Sequence, residues 1–141
     1  MELPPVQYVT TSDSFNIAYA VSGEGRPFVL MPQPHSHIQL YWTKDTFVRP
    51  WLEGLASRFR LVQYDGRGQG MSSRGLPENL ALDDFGRDLE AVVERLRLHD
   101  FVLMATAICH VPSAMQSRTL GAFAPWCWPR PPSRAPHGRR P

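Results

Sequence analysis

After Asp100 the chain contains no aspartate and no glutamate: all 13 acidic residues lie earlier, while arginine, proline and tryptophan continue to Pro141. The alternation of both charge signs along patterned segments is therefore confined to the first hundred residues. The final stretch from Trp126 to Pro141 has neither a helical nor a strand period, which is not how a packed core is written. The net charge of +2 is misleading, because the basic excess follows Val111 and the part before it is mildly acidic. A nucleic-acid footprint spread over the whole protein is not supported, and nucleic acid is not an expected partner. The opening Met1-Glu2-Leu3-Pro4-Pro5 has neither the positive residues nor the apolar run of a signal peptide, and no apolar stretch approaches the roughly 20 residues that span a bilayer. A soluble cytoplasmic protein without a membrane partner is expected. Cys109 and Cys127 have no paired spacing for a disulfide framework or a metal. His35 and His37 have no further ligands at a recognised spacing, so neither a metal nor any other cofactor is expected.

What is present reads as alternating strands and helices. Val6–Thr10 and Asn16–Val21 carry β-branched and aromatic residues around the polar Thr11-Ser12-Asp13-Ser14, the pattern of a β-hairpin. Phe28-Val29-Leu30-Met31 is a continuous apolar run, as in strands covered on both faces. From about Thr43 to Arg58, Phe47, Trp51, Leu52 and Leu55 fall at helical spacing, with Pro50 obliged to sit near a first turn or to kink the helix. Arg60–Tyr64 is a further strand. The clearest helix runs from about Asp83 to Arg97, its Phe85, Leu89, Val92, Val93 and Leu96 forming one stripe and its end charges matching the helix dipole. Phe101-Val102-Leu103-Met104 is another buried-type strand. The order predicts a partial doubly wound α/β sheet: an N-terminal hairpin, then β-α-β-α-β.

Between the Arg60–Tyr64 strand and the next helix stands Asp65-Gly66-Arg67-Gly68-Gln69-Gly70-Met71-Ser72. A dinucleotide loop needs Gly-x-Gly-x-x-Gly opening directly into a helix, and a P-loop needs Gly-Lys followed by Ser or Thr. Here the helix begins a dozen residues later, so a phosphate cradle is rejected. The segment resembles the Asp-x-Arg-Gly-x-Gly-x-Ser loop of α/β-hydrolases. The resemblance covers about Val6 to Val111, and is strongest to bacterial hydrolase-like domains sometimes joined to nucleotide-cyclase or DNA-binding regulatory domains. It implies a structural motif of Asp65, Arg67, Gly68, Gly70 and Ser72, with Asp65 and Arg67 as an ion-paired brace.

The same resemblance implies a nucleophile elbow, Gly-x-Ser-x-Gly, after the Phe101–Met104 strand. The chain reads Ala105-Thr106-Ala107-Ile108-Cys109 there. Ala107 takes the serine position, and its neighbours Thr106 and Cys109 have no identifiable base. Oxyanion-loop candidates are Gln33, His35 and Ser36, because a direct overlay puts Pro34, which lacks an N–H, at the donor position. The family's acid and histidine follow later strands, and His137, the last histidine, has nothing around it to orient an imidazole.

The loss of pattern after Val111 is what a frame change produces. Permitted codons for Ala114–Trp128, read from the third base, spell Tyr-Ala-Val-Ala-His-Pro-Gly-Arg-Val-Arg-Ala-Leu-Val-Leu, a helix end, a turn and a buried-type strand. One lost base after Val111 restores Ala-Val-Arg-Tyr-Ala. The expected organisation is an incomplete hydrolase-like domain over 1–111 and a disordered Pro/Arg-rich tail over 112–141. The leading reading is thus a truncated or frameshifted α/β-hydrolase-like protein, inactive itself, whose intact relatives hydrolyse an ester or acyl bond of a small-molecule substrate. Its Phe101–Met104 strand, left as an open edge, would invite self-association. The alternatives are a non-catalytic ligand-sensing module and an interaction protein that uses its basic tail.

Overall fold

A computed structural model describes residues 2–33, 35–43, 46–105 and 119–123. Strand β1 (Val6–Thr10) and β2 (Asn16–Ser22) form the expected antiparallel hairpin, in the register Tyr8 opposite Ala18. Strands β3 (Pro27–Leu30), β4 (Arg60–Tyr64) and β5 (Phe101–Met104) are parallel to one another, and β2 joins them antiparallel through β4. The sheet order is β1-β2-β4-β3-β5-β6. The last of these strands, β6 (Thr119–Phe123), runs parallel to β5 with Met104 opposite Phe123.

Strand β6 departs from two expectations. The sequence pattern puts Thr119–Phe123 in a disordered tail and leaves Phe101–Met104 as the open edge. The Thr-Leu-Gly-Ala-Phe segment pairs with β5, whose N–H and C=O groups would otherwise lack partners on that side. The edge position therefore passes to β6. The rest of 112–141 lies outside the described residues.

Alternation along the strands sorts side chains onto two faces. Ile17, Tyr19, Val29, Val62, Phe101 and Leu103 point to one face, where they meet Leu89, Val92 and Val93 of helix α3 (Leu82–Arg95). Ala18, Ala20, Phe28, Leu30 and Leu61 point to the other, against Ile38 of the short α1 (Ile38–Tyr41), Trp42 just after it, and Leu52 and Ala56 of α2 (Arg49–Ala56). The single long helix expected from about Thr43 to Arg58 is shorter, because Pro50 sits in the first turn and fixes the start at Arg49. Helix α3 ends in a Schellman motif: the Leu98 N–H donates to Val93 O (3.0 Å) and the Arg97 N–H to Glu94 O (3.0 Å). Arg97 takes the left-handed position, φ 51°, that glycine usually fills. No helix among the described residues is long and apolar enough to cross a membrane.

Candidate functional site

The loop after β4 is built to hold itself. The Asp65 carboxylate is fully buried and accepts from the Ile38 N–H (3.1 Å), at the start of α1, and from the Met71 N–H (2.9 Å). The Ser72 hydroxyl donates to Asp65 O (2.6 Å) and accepts from the Ala18 N–H (2.8 Å), tying the loop to β2. Gly70 has φ +45°, and a Cβ there would lie 2.1 Å from Asp65 Oδ2. Only glycine fits that approach. Gly68, at φ +75°, would place a Cβ 2.6 Å from Leu76 Cδ1. Every polar group that Asp65 and Ser72 present is consumed inside the scaffold, so neither is available to a substrate.

The expected Asp65–Arg67 ion pair does not form. Arg67, 1% exposed, turns away from Asp65 and is held by two other carboxylates. Its backbone N–H and Nε donate to Asp88 of α3 (both 2.9 Å), and its Nη1 donates to Asp13 of the β1–β2 turn (2.8 Å). Its guanidinium also lies 4.5 Å above the Phe15 ring. The reason is geometric: the Asp65 oxygens are already taken by backbone N–H groups, whereas the planar fork of Arg67 reaches two carboxylates at once. Arg87 adds a second cation, 3.2 Å from Asp13 and 2.6 Å from Asp84.

The two carboxylates respond differently. Hydrogen bonding from Arg67 holds Asp13 far below the ordinary carboxylate range. Asp88 is nearly inaccessible, and burial pushes its carboxyl upward against the pull of the Arg67 guanidinium and N–H. Asp13 keeps 27% side-chain exposure, which lowers its desolvation cost. Burial, followed by the nearby Asp88 charge, likewise pushes the Tyr64 phenol up, and its hydroxyl has no hydrogen-bond partner among the described residues. No sequence motif marks Asp13, Phe15 or Asp88 as partners of Arg67. Asp13 lies 54 residues from Arg67, beyond any local pattern. Asp88, in contrast, had a signal: it falls on the Phe85–Leu89–Val92 stripe of α3, and an acid on an apolar face asks for a buried cation.

The C-terminal ends of β3, β4 and β5 frame a cleft. Its inner part, between Met31, Ser36, Ile38, Trp51 and Asp65, encloses only about 50 Å³, far below the several hundred typical of a small-molecule site. It opens into a groove of about 410 Å³ lined by Gln33, Phe47, Val48, Trp51 and Met104. Of the oxyanion-loop candidates, Gln33 is exposed at the mouth. Ser36 is buried, and its hydroxyl donates to Gln69 Oε1 (3.0 Å) of the glycine loop. His35 is exposed and takes a left-handed φ of 67°. His37 accepts the Leu40 N–H at Nδ1 (3.5 Å) and so caps α1. No cluster of three metal-ligating side chains occurs among the described residues. Ala107, Thr106 and Cys109, the elbow candidates, lie outside the described residues, immediately beyond the buried Ala105.

No family model matches the chain. A protein bearing the name carbamate hydrolase RutD, from Caulobacter segnis, is 32% identical over 94 residues, which are 64% of this chain and 33% of that protein. The esterase RhEst1 from Rhodococcus sp. ECU1013 superposes with a TM-score of 0.71 at 23% identity, over 84% of this chain and 44% of its own. The Bottromycin epimerase BotH superposes with a TM-score of 0.69 at 25% identity, over 84% of this chain and 47% of its own. The chain thus spans about a third of the curated relative's length and under half of each solved chain. With the hairpin, the parallel β4-β3-β5 strands and the Asp65–Ser72 loop in place, the N-terminal part of this chain carries the α/β-hydrolase fold.

Proposed function

We propose that this chain is the scaffold half of an α/β-hydrolase-like protein whose intact form hydrolyses an ester or related acyl bond of a small molecule, and that the chain as written does not catalyse that reaction. Support for the family reaction comes from the relatives, which are named for carbamate hydrolysis and ester hydrolysis. The observation that carries the inactivity is chemical. Ser36 and Asp65 in the cleft are buried and already hydrogen-bonded, Gln33 at its mouth is an amide and no nucleophile, and the elbow position that should supply a nucleophile reads Ala107. A serine nucleophile also needs an oriented imidazole, whereas His37 is spent capping α1 and His35 is exposed in the loop after β3. A frame change after Val111 remains the proposed origin of the chain's altered composition.

A second reading, a ligand-sensing module without catalysis, draws on the likeness to an epimerase rather than a hydrolase. The 50 Å³ inner cavity weighs against it, since it admits little more than a water or two. Two measurements test the proposal. The full chain, incubated with p-nitrophenyl acetate, p-nitrophenyl butyrate and an aryl carbamate, should release phenolate no faster than buffer, and saturable turnover would refute the inactivity. The gene should be resequenced from the codons of His110 through Met115 onward. An added base there should open a frame reading Ala-Val-Arg-Tyr-Ala and, later, an acid and a histidine, whereas no such frame sinks the frame-change origin.

A further inference from the structure

The cleft has two parts of different character. Its outer groove leaves Phe47 94% exposed and Trp51 41% exposed, with Val48 and Met104 completing an apolar wall. Exposed aromatic surface of this kind marks a place where an apolar group settles. At about 410 Å³ the groove falls within the roughly 300–1,000 Å³ of small-molecule sites. The inner cavity behind it shares Gln33, Val48 and Trp51 with the groove and adds Tyr41. Tyr41 is the last residue of α1, and its hydroxyl has no hydrogen-bond partner among the described residues. Burial, followed by the Asp65 charge, pushes this phenol up, so at neutral pH it is protonated and able to donate.

Charge decides what class of molecule fits. Among the described residues no lysine, arginine or histidine lines the groove or the cavity. The carboxylate there, Asp65, is buried and held by backbone N–H groups. An anion entering would lose its hydration with no cation to replace it, and would face that carboxylate. We propose that the groove binds an uncharged aromatic ester or amide, its ring against Phe47 and Trp51 and its carbonyl oxygen turned inward to accept from the Tyr41 hydroxyl. The two aromatic side chains offer faces and edges for offset or edge-on stacking. The inner cavity, about 50 Å³, admits a carbonyl oxygen but not a ring. A carbonyl taken into it exchanges water for the phenol and keeps a hydrogen bond. The inference rests on the proposed hydrolase reading and gives the substrate of that reaction a class: a neutral aryl ester or carbamate rather than an anionic acyl compound.

Acetanilide, a neutral aromatic amide, is the probe, with benzoate as the anionic counterpart and toluene as a ring without an acceptor. Each is titrated into the ¹⁵N-labelled full chain, and the Trp51 indole N–H resonance, assigned by Trp51→Phe, is followed. Acetanilide should displace it saturably at about millimolar concentrations, as expected for so small a ligand, and benzoate should leave it in place. Phe47→Ala should weaken acetanilide about fivefold. Tyr41→Phe should weaken acetanilide about fivefold while leaving toluene unchanged. The indole of Trp42, which donates to Gln63 Oε1 at 2.7 Å inside the core, reports that each variant is folded. An unmoved Trp51 signal, benzoate binding as tight as acetanilide, or affinities unaltered in both variants overturns the proposal. Binding is read without turnover, so the two readings fail separately: saturable ester turnover refutes the inactivity alone, and loss of acetanilide binding in an inert chain refutes the ligand class alone.

Discussion

The two faces of the sheet are secured by different physics. On the α3 face, a buried arginine joins three segments remote in sequence: the β1–β2 turn through Asp13, the glycine loop through its own backbone, and α3 through Asp88. On the α1–α2 face the strands present small residues, Ala18 and Ala20, and the helices pack onto them through Ile38, Trp42 and Leu52. That face holds the buried hydrogen bond of Trp42 to Gln63 and ends in an open groove. On the charged face the buried carboxylate of Asp88 is paired, while the apolar face leaves Phe47 and Trp51 exposed. The Asp65–Ser72 motif belongs to the framework, its polar groups bonded within the scaffold.

Removing the clamp should do the most damage. Arg67→Met keeps much of the side-chain volume but leaves Asp88 buried without its cation, and breaking a buried pair in this way costs about 3–5 kcal/mol. Chemical denaturation of the variant should show its midpoint lowered accordingly, or no cooperative transition at all. A loss under about 1 kcal/mol would mean that the two faces are not held differently after all. The groove side gives the contrast: Phe47→Ala should leave the midpoint unchanged, since that side chain is almost wholly in solvent.

Much of this framework was legible in the residues. The runs Phe28–Met31 and Phe101–Met104 announced strands buried on both sides, and the Phe85–Leu96 stripe announced α3, because each pattern is a direct image of burial. The Asp65–Ser72 motif was legible as structural, yet its bonding was not. Asp65 and Arg67 are two residues apart with opposite charges, but backbone N–H groups claim Asp65 first, and the true partners of Arg67 become neighbours only when the hairpin and α3 pack together. Strand β6 was hidden for a different reason: Thr119–Phe123 is short, carries a glycine, and sits in text whose surroundings have no period. Its pairing depends on the open side of β5, which is a property of the sheet rather than of those five residues.

The acid response sharpens the comparison next. Asp13 has its carboxyl depressed in the folded state by Arg67. Its contribution to stability is therefore present above the unfolded value near pH 4 and is lost as the pH falls below that value toward the folded one. Asp88, raised by burial, acts with the opposite sign: protonation costs the folded state less than the unfolded one, so its contribution grows as the pH falls. Asp13→Asn removes the first effect and leaves the second. Thermal midpoints measured between pH 5 and 2.5 should fall less steeply for Asp13→Asn than for the parent chain, and parallel curves would show that Asp13 is not the acid-sensitive end of the clamp.

The smallest expected effect lies at the far end of the same face, where α3 stops. Its Schellman closure requires a left-handed residue, and Arg97 adopts φ 51° there with a Cβ that crowds the following carbonyl. The two closing hydrogen bonds, Leu98 to Val93 and Arg97 to Glu94, run from backbone N–H groups to backbone carbonyls, so they survive any side-chain change. Leu98 is buried beside Leu89 and Val93 and fixes the direction in which the chain leaves toward β5. Arg97→Gly should therefore relieve strain without disturbing the closure, partly offset by the greater freedom of glycine in the unfolded chain. The expected outcome is a gain of about 0.5–1 kcal/mol in the denaturation midpoint analysis. A loss instead would mean that the Arg97 side chain itself contributes to holding the end of α3, and that the charged face extends its reliance on arginine beyond the clamp at Arg67.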